Sequence, residues 1–126
     1  MLLSRAGLIF LLCCLMGLTH ARTVHDAEWL LRQDPKAFTL QLVTLSNADQ
    51  VSRMAQQHNL PEALARFRIQ GQNQLLYVLT YGVFKEAAQA ERRRAAIAVL
   101  WGLPPEQLWV RQMQSVQRAI RTTLQQ

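Results

Sequence analysis

Residues 75–84, Leu-Leu-Tyr-Val-Leu-Thr-Tyr-Gly-Val-Phe, restrict the fold more than any other stretch of this chain. Before Gly82 the run has no charge and no proline and is rich in aliphatic, β-branched and aromatic side chains. It therefore reads as a strand near the middle of a sheet. Alternation puts Tyr77, Leu79 and Tyr81 on one face and Leu76, Val78 and Thr80 on the other. The bulkier set is the better core, which leaves the lighter set to face water or a ligand. Gly82 ends the run, where the chain can bend without a Cβ penalty.

The remaining segments can be placed against this strand. Residues 26–32 read as a short helix capped by Asp26, with Trp29 and Leu30 on one side, and Asp34-Pro35 stops it. Residues 38–44 alternate as a half-buried strand, Phe38, Leu40 and Leu42 against Thr39, Gln41 and Val43. Ser46 and Asn47 then offer helix caps, and Val51, Met54, Ala55 and His58 form one helical stripe. His58 reads as a packed histidine, since no second metal ligand lies at a suitable spacing. Residues 64–70 alternate again, Ala65, Phe67 and Ile69 against Arg66, Arg68 and Gln70. Gly71-Gln72-Asn73 makes the turn of a hairpin into the central strand. Residues 86–100 form a second main helix, with Ala87, Ala90, Ile97 and Leu100 on its buried side and Arg92-Arg93-Arg94 in its middle. Three consecutive arginines span most of the circumference, so at least one lays its stem over apolar surface. A loop at Gly102, Pro104 and Pro105 leads to a short strand over 109–113, and Ser115 opens a terminal helix carrying Val116, Ala119 and Ile120.

The order strand, helix, strand, strand, helix, strand implies an α+β domain. Two helices cover one face of a four-stranded antiparallel sheet, short helices flank both ends, and the other face is bare.

The first 21 residues stand apart. Arg5 precedes an uncharged run over 6–18, and Thr19-His20-Ala21 ends in a small residue, the pattern of a secretory signal peptide cleaved after Ala21. The alternative is an uncleaved anchor, but 13 residues fall short of the roughly 20 that a spanning helix needs. Both cysteines, Cys13 and Cys14, lie in this run, so a mature chain starting at Arg22 has no disulfide and no thiolate chemistry. Roughly 105 residues remain, enough to bury a core unaided. The expected organisation is a signal peptide over 1–21, a helical lead-in over 22–36 and one domain over 37–121. The expected location is the periplasm, with no membrane span after cleavage. A formal charge of +6 favours anionic neighbours.

No catalytic constellation holds together. His25 and His58 lie outside any zinc-hydrolase spacing, no serine sits in a nucleophile elbow, and there is no glycine-rich phosphate loop. The eight carboxylates are scattered, mostly on helices or near their ends, and the strands contain none, so the sheet lacks the facing pair that sugar hydrolysis requires. A binding module without metal or cofactor is the better reading. Alternation gives its bare face as Thr39, Gln41, Val43, Arg66, Arg68, Leu76, Val78 and Thr80, with Arg111 the candidate from the last strand. Amide, hydroxyl and guanidinium groups beside aliphatic carbons suit a sugar chain. The same residues also fit ordinary solvent-facing positions.

Several motifs together resemble one family. They are Phe38-Thr-Leu-Gln-Leu, Gly71-Gln followed by Leu76-Tyr77-Val-Leu and Gly82-Val-Phe, a charged alanine-rich helix, Trp109-Val-Arg, and Ser115-Val-Gln-Arg-Ala-Ile. In order and spacing they resemble the SPOR (sporulation-related repeat) domain, in the variety found at the C-terminus of DamX-like division proteins. Trp29-Leu-Leu-Arg-Gln-Asp-Pro is similar to the lead-in of such domains, so the resemblance covers residues 28–120. It implies binding to peptidoglycan glycan strands stripped of their stem peptides, and enrichment at the bacterial division septum. By position it implies ligand residues at Gln41, Thr44 and Leu76. Leu76 departs from the tryptophan of the DamX-like variety, which removes aromatic stacking and implies weaker or altered glycan binding.

Two other functions compete. RNA-recognition domains share this element order, but they present aromatics on the bare face, whereas Tyr77 and Tyr81 point to the core here; nucleic acid is not expected as a partner. A protein–protein adaptor for a cell-envelope division or secretion complex would dock an acidic partner on the basic helix around Arg92. Protein recovered from its native host is expected to begin at Arg22. N-terminal sequencing that returned Met1 or Leu2 from the membrane fraction would show an anchor instead.

Overall fold

The computed structural model describes residues 22–124; the segment 1–21, expected to be a signal peptide, lies outside the described residues. In chain order the elements are β1 (Val24–His25), α1 (Ala27–Leu31), β2 (Phe38–Leu45), α2 (Ala48–Gln56), β3 (Leu64–Gln70) and β4 (Leu75–Phe84). There follow α3 (Ala87–Trp101), a 3-10 turn (Pro105–Gln107), β5 (Trp109–Gln112) and α4 (Met113–Leu124). The fold is α+β, with, among the described residues, four α-helices packed on a five-stranded mixed sheet of order β1-β3-β4-β2-β5. From β2 to β5 the elements follow the expected order and pair antiparallel. The expected four-stranded sheet gains a fifth strand, because Val24 and His25 pair in parallel with Leu64 and Ala65. Two residues are too few for any alternation to announce that strand.

Strand β4 is central, between β3 and β2, and its uncharged sequence fits that place. Leu79 and Tyr81 are fully buried on the first face with Leu40, Leu42, Val51, Ala55 and Ile97, under α2 and α3. The caps follow local chemistry: Asp26 accepts from the Trp29 amide at 3.0 Å, and Asn47 from the Gln50 amide at 3.1 Å. Helix α3 opens with the Glu86 amide donating to the Gln89 side chain at 3.1 Å and ends at Gly102, whose φ of 64° suits a left-handed cap. Leu100, expected inside, is 42% exposed, and Trp101 is buried instead. Leu100 sits about 60° round the helix from Ile97. Trp101 lies nearer the core direction and donates its indole N–H to the Met54 carbonyl at 2.8 Å. His58 packs edge-on against that indole, with ring centres 4.8 Å apart.

The second face is not bare. Helices α1 and α4 cover much of it, and Leu30, Met113, Val116 and Ile120 pack with Ala65, Phe67 and Val78. Buried Gln117 ties the two helices together, donating to the Leu30 carbonyl at 3.1 Å and the Gln33 carbonyl at 2.8 Å. Helix α4 begins at Met113, two residues before the expected Ser115. The amides of Met113 and Gln114 donate to the Ala37 and Pro35 carbonyls, at 2.7 and 3.0 Å. The lead-in therefore satisfies first-turn donors that would otherwise need a side-chain cap.

One polar network is set into the first face. The Tyr81 phenol donates to Glu62, and Arg93 Nη2 donates to the phenol oxygen at 3.3 Å and pairs with Glu62 at 3.6 Å. Of the arginine triplet, Arg93 is the one whose guanidinium reaches this network. Burial, and then the hydrogen bond to Glu62, raise the Tyr81 pKa above its ordinary value of 10.0. Because the folded value is the higher, the protonated phenol contributes stability that is complete below the unfolded value and lost as pH rises through the folded one.

Two outcomes follow. Leu79→Ala is expected to cost about 2–5 kcal/mol in chemical denaturation, and a loss well under ~1 kcal/mol would contradict its central packing. Tyr81→Phe is expected to flatten the alkaline limb of the stability profile, measured by denaturant midpoints at neutral pH and above the ordinary tyrosine value. Parallel limbs for parent and variant would show that the phenol is not the group responsible.

Candidate functional site

Residues paired across neighbouring strands share a face, so the register decides which side chains meet. In β2 the register slips between Gln41, opposite Thr80, and Val43, opposite Leu79. Leu42 is the extra residue of a bulge. The slip turns Val43 into the first-face core, where it is buried, and brings Thr44 opposite Val78 on the second face. Val43 was expected on the second face, and strict alternation would have placed it there. Gln41 and Thr44, three residues apart, consequently lie side by side, with Gln41 Nε2 donating to Thr44 Oγ1 at 3.2 Å.

Strand β5 supplies the other half. Trp109 pairs with Gln41, and Arg111 pairs with Thr39, so both side chains belong to the second face. Arg111 Nη1 donates to Gln41 Oε1 at 2.7 Å, and its Nε and Nη2 donate to Ser115 Oγ at 3.0 and 2.7 Å. The guanidinium carbon stands 4.8 Å from the centre of the Trp109 ring, and Trp109 is 56% exposed. Burial holds the Arg111 guanidinium below its ordinary pKa. Among the described residues the ion pairs are Arg93–Glu62 and Arg94–Glu91, and neither involves it. From Arg111 a groove of about 440 Å³ runs along α4, between Ser115, Arg118 and Ala119 on the helix and Ile69 and Gln70 on β3.

The structure thus brings together three expected residues, Gln41, Thr44 and Arg111. Leu76 lies on the same face, half-buried and paired with Ile69 of the groove. Thr39, Val78 and Thr80, expected on an open face, are buried. Both hydroxyls donate to backbone carbonyls at 3.3 Å, Thr39 to Tyr81 and Thr80 to Ala65. Arg66 and Arg68 were expected beside them, but they pair with Leu79 and Tyr77 and so belong to the first face. There Arg66 donates to Ser52 of α2 at 2.6 Å, and Arg68 is exposed. The reason is burial on both sides of the sheet: Ala65 and Phe67, the apolar set of β3, go under α4 rather than under α2 and α3.

Trp109 and Ser115 are the residues the sequence reading did not include. Trp109 stands two positions from Arg111 and shares its face by simple alternation, a usable sign once the strand is placed. Ser115 carried no such sign, because a strand-to-helix junction has no period. Its hydroxyl is available to Arg111 because the lead-in carbonyls bond the first amides of α4.

Amide, hydroxyl, guanidinium and an exposed indole make a surface of directed donors beside an apolar ring, suited to holding a polar ligand with flat apolar faces. Among the described residues no group of three His, Cys, Asp or Glu side chains is placed to hold a metal ion. None of the described helices is long and apolar enough to cross a membrane. Comparison of the chain with protein-family models, curated proteins and solved structures finds no match.

Proposed function

We propose that this protein is a non-enzymatic binding module for peptidoglycan glycan strands stripped of their stem peptides, acting in the periplasm at the division septum after export. The observation that carries the reading is the cluster of Gln41, Thr44, Arg111 and exposed Trp109 on one strip of the second sheet face. The resemblance to SPOR domains implied ligand residues at Gln41 and Thr44, and the bulge at Leu42 is what lets both reach one ligand. Trp109 supplies an aromatic platform on β5, on the same face where the family tryptophan is replaced by Leu76 of β4. Gln41 and Thr44 suit sugar hydroxyls and acetamido groups, and the Trp109 ring suits a sugar face.

A second reading is favoured by α3. Val99 is 78% exposed and Leu100 42%, on a helix that also exposes Arg92. That combination suits an acidic protein partner of a cell-envelope complex, as an adaptor would require. Retention on isolated sacculi, with and without amidase treatment, separates the two readings, because only glycan binding rises when stem peptides are removed.

Gln41→Glu keeps the size and the acceptor for Arg111 while removing the amide donors, so the fold is expected to survive. Binding to amidase-treated sacculi is expected to weaken at least about two- to tenfold, because roughly one neutral hydrogen bond to the ligand is lost and the new carboxylate also pairs with Arg111. Leu76→Trp is expected to tighten binding by restoring stacking surface beside Thr44. Co-sedimentation with the sacculi, with circular dichroism as the folding control, reads both. Parental binding by two folded variants would remove this strip as the glycan site.

A further inference from the structure

Arg111 is a half-buried cation satisfied by neutral oxygens alone. Gln41 Oε1 and Ser115 Oγ take three of its hydrogen bonds. A guanidinium carries five N–H donors, so two remain for another acceptor. Taking a charge out of water is costly unless an opposite charge or a full set of acceptors compensates. Nothing acidic is near: the groove is lined by no carboxylate, and neither β3 nor α4 contains Asp or Glu. Arg118, exposed on α4, lines the same groove and adds a second positive charge.

We propose that the α4 groove recognises a carboxylate carried on a sugar chain, with Arg111 as its anchor and Arg118 as a supporting cation. This rests on the glycan-binding reading and names the chemical group that sets its selectivity. A neutral saccharide would be served by Gln41, Thr44 and Ser115 without a desolvated charge between them. A small inorganic anion would leave Ile69, Ala119 and the Trp109 ring unused. A sugar-borne carboxylate uses both kinds of surface, since the planar guanidinium matches a carboxylate and the apolar patches match the ring. The chemistry of stripping agrees. Hydrolysing the amide between a stem peptide and its sugar converts a neutral amide on the sugar into a carboxylate. Preference for stripped strands then follows from charge as well as from bulk.

The test compares three probes by co-sedimentation or affinity electrophoresis at low and moderate salt. They are amidase-stripped glycan strands, the same strands with carboxyl groups reduced to alcohols, and polygalacturonate, a uronate chain without amino sugars. Carboxyl reduction is expected to weaken binding about tenfold or more, because a charge-assisted hydrogen bond is replaced by a neutral one. Arg111→Gln is expected to abolish that difference, and Arg118→Gln, an exposed change with little bearing on folding, to reduce both it and the salt dependence. Equal binding of native and reduced strands would overturn the carboxylate inference and leave the glycan reading standing. Binding to polygalacturonate alone, lost on reduction of its carboxyls, would support the carboxylate site and sink the peptidoglycan reading. Binding to none of the probes would overturn both.

Discussion

The pairing of β2 with β4 is the constraint on which the site depends. It carries two irregularities that offset one another. Between Phe38, opposite Phe84, and Leu40, opposite Tyr81, the extra residue is on β4; between Gln41 and Val43 it is on β2. Gly82 makes the first possible. Its φ is +80°, and a Cβ there would stand 2.4 Å from the Phe84 ring, so no other residue fits without displacing that ring. Leu42 makes the second, and both Leu42 and Val43 are buried. An unbroken strand would hold Gln41 and Thr44 on opposite faces. The slip at Leu42 lets them share a hydrogen bond on one face of the sheet.

This also explains which parts of the molecule were legible in the sequence. Caps are local, so Asp26 and Asn47 could be read from the residue and its neighbours. The core side of β4 was legible because Tyr77, Leu79 and Tyr81 outweigh the opposite set in bulk. Positions 42 and 43 were not legible, since both are aliphatic and a bulge between them leaves no mark in the pattern. Gly82 did signal an irregularity, but the strand continues through it to Phe84 instead of ending. The side taken by β3 was misjudged for a different reason. With one face assumed bare, Ala65 and Phe67 had only the α2–α3 layer to join; with both faces buried they join α4. Of the candidate cluster, Gln41, Thr44 and Arg111 are expected from the sequence but their meeting is not, because Arg111 and Gln41 are 70 residues apart.

The arginines show how a basic chain folds without many counter-ions. Arg93 has an acid and a phenol. Arg22 donates from its guanidinium to the carbonyls of Leu60, at 2.6 Å, and Glu62, pinning the start of the domain against the loop before β3. Its backbone exchanges two hydrogen bonds with the Gln56 side chain, at 2.7 and 2.8 Å. Arg66 has the Ser52 hydroxyl. Neutral acceptors spread a positive charge over several dipoles and keep its geometry fixed, but they do not cancel it. Where such an arginine is structural, as at Arg22, its terminal nitrogens donate to the Leu60 and Glu62 carbonyls and the Asn59 side chain while its buried Nε has no partner, and no groove opens beside it. Where donors remain and a groove opens beside them, as at Arg111, the same arrangement leaves a fixed charge available to a ligand.

Helix α4 sets that charge beside a groove, and the lead-in is what holds α4. Without the helix the second face would be a shallow sheet exposing Phe67 and Val78, with no wall beside Arg111. The helix buries those residues and raises Ser115, Arg118 and Ala119 along one side of the remaining strip. It is held by contacts from residues that precede the βαββαβ core: Leu30 packs under it, the Pro35 and Ala37 carbonyls take its first amides, and Gln117 reaches the carbonyls of Leu30 and Gln33. Residues 27–37 therefore help to build the candidate groove although none of them lines it. The lead-in and the terminal helix, which sequence pattern alone presents as end decorations, pack on one another, and the groove beside Arg111 is walled only because they meet.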